Sequence, residues 1–173
     1  MTAEALPLTR PPLTPARALL YGTLAVGILD ILDAFIFFGL RSGVPPIRIL
    51  HSIAAGVLGR DAARAGGIPT AVLGLGLHFF IAFGVVTTYY LVSRRFPGLA
   101  RKPFLYGPLY GVLVFFIMNL IVLPLSATGK AFWPPSLPPT IILINGLLIH
   151  ALGVGLPSAW FASRVPPGEV RAG

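Results

Sequence analysis

The chain has 173 residues, 55% of them apolar and only 10% charged, whereas about a quarter of the residues in soluble domains are charged. That balance excludes an ordinary soluble domain and specifies a single membrane domain. Thirteen Lys and Arg against five acids give a formal charge of +8, but the bases fall between apolar runs. They read as topology signals and contacts to anionic headgroups, with no nucleic-acid partner. The absence of cysteine removes disulfides, thiolate metal sites and a cysteine nucleophile.

Residues 1–16 hold four prolines among small and polar residues, so a disordered N-terminal tail is expected. From about Arg17 to Leu40 an apolar run is long enough to cross a hydrocarbon core of ~30 Å at ~1.5 Å per residue. It carries two aspartates and no small-residue cleavage pattern follows it, so it reads as a retained span. Pro45 and Pro46 end any continuation, and the residues from Ile47 to Arg64 follow. Their apolar positions Ile47, Leu50, Ile53, Ala54, Val57 and Leu58 have helical spacing, with Arg48, His51, Ser52 and Arg60 on the other face. Too short to span, this segment is expected to be an interfacial or partly re-entrant amphipathic helix.

Three further spans are expected at about 69–92, 103–125 and 140–163, followed by a polar tail over 164–173. Their connections are short, so the fold class is an all-α integral membrane four-helix bundle with an additional interfacial helix between the first and second spans. Eight bases fall on the face bearing both termini and five on the other, which points to cytoplasmic termini. Tyr21, Tyr89, Tyr90, Phe104, Tyr106 and Trp160 mark one interface, Phe132 and Trp133 the other.

Ionisable residues fall in the middle of the spans, where a charge costs several kcal/mol unless it is paired or hydrated. His78 and His150 lie about nine and ten residues from the starts of their spans, roughly 14 to 15 Å deep at ~1.5 Å per residue. Asp30 comes to the same level from the opposite direction. Asp33, Asn119 and Asn145 form a second polar layer roughly one turn nearer the face that carries the short helix, and Asp30 and Asp33 share a helix face. No Lys or Arg lies deep enough to neutralise the aspartates, which leaves the histidines, water or a bound cation. Asp30, Asp33, His78 and His150 are therefore candidate ligands for a divalent metal. His78 and His150 could alternatively hold a haem b between two imidazoles, or the set could relay protons. In the plain structural alternative, Asn119 and Asn145 are interhelical hydrogen-bond glue and each histidine bonds a backbone carbonyl. The chain is then a structural or accessory subunit, a homo-oligomer or a partner of other membrane subunits. No P-loop, GxSxG, HExxH or dinucleotide glycine pattern occurs, and Ser52, Ser126, Ser136 and Ser158 carry no nucleophile motif, so soluble-enzyme chemistry is unsupported and a membrane-embedded enzyme ranks third among the readings.

The stretches DILDAFIFFGLRSGVPPIRILHSIAAGVLGRDA, HFFIAFGVVTTYYLVSRR and YGPLYGVLVFFIMNLIVLPLSA resemble a group of small bacterial four-span membrane proteins. The order of elements is more distantly similar to the YagU family of inner-membrane proteins. It runs span, Pro-Pro turn with arginine, short helix, span with His, glycine-containing span ending in Pro-Leu, and fourth span with His. The resemblance covers about residues 20–163 and implies a bacterial cytoplasmic-membrane address without an activity or functional residues.

Overall fold

A computed structural model describes residues 12–131, 133 and 135–166. Most of the expected N-terminal tail and residues 167–173 of the C-terminal one lie outside these residues, as does Phe132. Among the described residues the chain is helical, with no strand, and four helices are long and apolar enough to cross a membrane. α1 spans Pro15–Ser42, longer at both ends than the sequence pattern implies. Thr14 caps its start by accepting from the Arg17 N–H at 3.4 Å, with Pro15 in the first turn where its missing N–H costs nothing. Gly43 ends it in the left-handed region at φ 63°, returning its N–H to the Gly39 carbonyl.

The expected interfacial helix is two helices, α2 at Pro46–Leu58 and α3 at Arg60–Ala65, broken at Gly59 with φ 79°. α2 lies along the second span, α4 at Gly67–Arg95. Gly74 makes that approach possible, because a Cβ there would collide with the Leu50 carbonyl. His51, expected on the hydrated face, is instead buried against α4 and its Nε2–H donates to the Gly67 carbonyl at 2.8 Å. The expectation of a hydrated side chain fails for His51 alone, because α4 covers it, while Arg48, Ser52 and Arg60 of the same face are exposed.

A short helix α5, Pro97–Arg101, leads to the third span α6, Pro103–Leu125, and the fourth span is α7, Thr140–Ser163. Each of the last two spans widens into a π-helical segment, Met118–Val122 in α6 and His150–Gly155 in α7. Each segment stops just before a proline, Pro124 or Pro157. A proline has no N–H to give and its ring presses on the carbonyl four residues back, so the preceding turn opens.

Packing divides the bundle along its length. The half bearing the termini is filled by Ala18, Tyr89, Tyr90, Ala159, Ala162 and Val165. There the Arg94 guanidinium donates to the carbonyls of Ala162 at 2.8 Å and Val165 at 3.1 Å, closing the C-terminal end of α7. A mid-bundle layer of Val26, Ala82, Val86, Val114 and Val154 follows. Tyr110 links α6 to α4 in this region, donating to the Val85 carbonyl at 2.7 Å and meeting the Tyr89 ring edge-on. Beyond that layer, toward α2, the helices part around a cavity.

Candidate functional site

The cavity measures about 380 Å³ and lies among α1, α2, α4, α6 and α7. Asp30, Asp33, His78, Asn119, Asn145 and His150 all line it, and no lysine or arginine does among the described residues. Val26, Ala82, Val114 and Val154 belong both to its wall and to the mid-bundle layer, which therefore serves as its floor.

Close backbone contact sets the position of His150. A Cβ on Gly111 would collide with the His150 carbonyl, and one on Gly155 with the Gly107 carbonyl, so α6 and α7 touch along their backbones. Phe115, one turn beyond Gly111, meets the imidazole edge-on at 5.3 Å between ring centres. Opposite, Gly27 leaves room for Phe79 against α1, and the adjacent His78 donates from Nε2 to the Gly27 carbonyl at 2.8 Å.

The two aspartates differ in their partners. Asp33 accepts at Oδ2 from the Asn145 amide at 2.8 Å, a bond between α1 and α7. Asp30 faces His150 with 4.0 Å between Oδ1 and Nδ1, close enough for charge attraction but too long for a hydrogen bond. That Nδ1 is buried without a hydrogen-bond partner, while the Gly146 carbonyl also lies beside the ring. Asn119 folds back on its own helix, donating to the Phe115 carbonyl at 3.1 Å, instead of bridging two helices as expected. Its backbone carbonyl accepts from Lys130 Nζ at 2.7 Å. The widened turn of Met118–Val122 disturbs the regular ladder and gives both bonds their opening.

A second crevice between α1 and α7 runs from Arg41 past Ile36, Phe37 and Leu40 to Asp33 and Asn145. The Asp33–Asn145 pair thus borders both spaces. It stands between the Arg41 end of α1 and the Asp30–His150 pair.

The cavity does not fit a metal centre. Among the described residues no three His, Asp or Glu side chains converge to hold an ion, although the four expected ligands share one wall. Haem ligation between His78 and His150 does not fit either, because the Nε2 that would bind iron is engaged with Gly27. What the arrangement offers is a pair of carboxylates in apolar surroundings, with one imidazole facing the nearer of them across 4.0 Å.

The sequence pattern singled out six of the cavity's polar residues but not Ser52, and it missed what positions them. The GxxxG of Gly107 and Gly111 was visible, but its partner is the His150–Leu156 stretch of α7, which no local pattern announces. Pro124 and Pro157 were the available signal for the widened turns. Fold and site together define an all-helical, four-span membrane protein with an acid-lined interior cavity. No family model, curated protein or solved structure matches the chain.

Proposed function

We propose that the chain binds a monovalent organic cation in the interior cavity, with Asp30 and Asp33 as counter-charges and His150 as the group that exchanges a proton with Asp30. The observation that carries this reading is a pair of carboxylates on a largely apolar wall that, among the described residues, bears no lysine or arginine. A carboxylate at that depth needs either a proton or a cation. Entry of a cation therefore releases the proton, leaving the charge in the cavity unchanged. A volume of about 380 Å³ lies near the lower end of the range for small-molecule pockets, about 300 to 1,000 Å³. The crevice reaching Asp33 from Arg41 is the route we assign to the ligand or to the protons it displaces.

The test is titration of the detergent-purified chain with tetrapropylammonium in weak buffer, recording heat and released protons together. A quaternary ammonium has no proton of its own, so proton release reports the carboxyls. Saturable binding with proton release is expected, weakened by about tenfold or more in Asp30→Asn and Asp33→Asn, since a charge-assisted contact contributes about 1.5 to 3 kcal/mol. Folded variants that bind as well as the parent would end this reading.

A second reading draws on the His78–Gly27 and Asn145–Asp33 bonds, both of which join helices. Here the polar groups only fix helix register, and the chain is an accessory subunit of a larger membrane assembly or a homo-oligomer. Stable co-purification of other membrane subunits with a chain that takes up no cation would favour it. For either reading we place the chain in a bacterial cytoplasmic membrane with both termini inside. The base count and the resemblance to YagU-like proteins support that address.

A further inference from the structure

We propose a second site that binds the phosphate group of an anionic ligand, in the cavity of about 430 Å³ walled by α2, α3 and the segment after α6. Arg48, Arg60, Arg64 and Lys130 line it together with His51 and Thr128, and among the described residues no acid does. Asp61, the acid of α3, lies off the wall. Among the described residues the three guanidiniums form no ion pair and no hydrogen bond. Four cations gathered around one space repel one another unless an anion is shared among them. Arg48 also runs against local preference, because it lies in the first turn of α2, where the helix dipole disfavours a cation and no acid offsets it.

His51 supplies an independent sign of a ligand. The residue is only 6% exposed and lines this cavity, its Nε2–H is fixed on the Gly67 carbonyl, and its Nδ1 is buried with no partner. A phosphate oxygen bearing a proton can donate to a neutral Nδ1, and a bare one can accept from a protonated Nδ1. Around it the guanidiniums provide the planar forks that match phosphate oxygens, and Thr128 adds a hydroxyl. Leu123, in the last turn of α6, also lines the cavity, and α2 and α3 connect the end of α1 to the start of α4. A segment that connects two spans lies at the headgroup boundary, where a lipid headgroup and a free phosphate can both reach it.

The full-length protein in detergent is titrated with dihexanoyl phosphatidate, with dihexanoyl phosphatidylcholine and with inorganic phosphate, following heat and thermal unfolding. Saturable binding of phosphatidate over phosphatidylcholine is expected, with a loss of about tenfold or more in the double variant R48Q/R64Q. R41Q, an arginine near the same end of the bundle but off this wall, keeps parental affinity. H51Q retains an amide able to reach Gly67 while removing Nδ1, and it too weakens binding. Because Arg48 and Arg64 are exposed, the double variant keeps the test open should H51Q fail to fold. Competition by inorganic phosphate identifies a site for the phosphate group itself, whereas phosphatidate binding that phosphate cannot displace identifies a lipid headgroup site. Equal loss in R41Q and R48Q/R64Q, equal affinity for the two lipids, or no binding by either probe overturns the proposal.

Discussion

At the scale of single residues, the two aspartates share a helix face and a cavity but not a circumstance. Asp33 is held by a neutral amide from another helix, while Asp30 faces an imidazole across a gap. The first arrangement is a structural bond and can be measured as one. In a double-mutant cycle on Asp33→Ala and Asn145→Ala, thermal unfolding in detergent is expected to give a coupling of about 0.6 kcal/mol, and not above about 1.7 kcal/mol, the span measured for interhelical bonds in membranes. A coupling of zero would mean that the amide and carboxylate do not meet in the folded chain. The identity of these residues was legible in the sequence because an ionisable group inside an apolar run stands out by cost alone. Their pairing was legible only as shared depth. Depth placed Asp30 level with His150, and Asp33 level with Asn145, but it gave no rotation about the helix axis. Whether His78 turned toward the aspartates or toward a carbonyl was therefore open, and the backbone of Gly27 took it.

Elements bring those residues into register through close helix contacts. Gly111 and Gly155 let α6 and α7 touch, and backbone atoms cannot rotate away as a side-chain tip can. Gly111→Ala is accordingly expected to destabilise the chain by about 1 to 3 kcal/mol, the usual cost of overpacking. Gly76→Ala and Gly84→Ala meet nothing within 4 Å and should be neutral or stabilising by up to about 1 kcal/mol through helix propensity. Thermal unfolding of the three variants separates the cases, and equal behaviour would show that α6 and α7 do not pack along this seam. Span positions were readable because twenty-residue apolar runs have no other stable place, and Pro45 and Pro46 punctuate the first of them clearly. The widened turns were not readable. A proline inside an apolar run announces a local disturbance, but which neighbouring helix absorbs it depends on contacts distant in sequence. For the same reason the contact between α2 and α4 that Gly74 permits was not readable.

The whole molecule is asymmetric along its axis, packed in the half that carries the termini and hollow in the half that α2 closes. Hydropathy has no part in that division, since the spans are apolar throughout; it follows from where small residues let the helices close and where polar residues and opened turns hold them apart. Accessibility should therefore follow packing and not distance from a helix end. The chain has no cysteine, so a single serine-to-cysteine change, nearly isosteric, reports its own site. Ser93 lies two residues from the end of α4 but is 2% exposed, and Ser158 is fully buried, whereas Ser52 is exposed and lines both cavities. A water-soluble methanethiosulfonate ammonium reagent should label Ser52→Cys readily and spare Ser93→Cys and Ser158→Cys in the folded chain, with all three reacting after denaturation. Asn145→Cys, deeper by sequence than Ser93, should react through the crevice from Arg41 and be protected by tetrapropylammonium if the cation occupies the cavity. Labelling of Ser93→Cys ahead of Asn145→Cys would show that depth along the span governs access, and the hollow half would then have to be abandoned together with the site built on it.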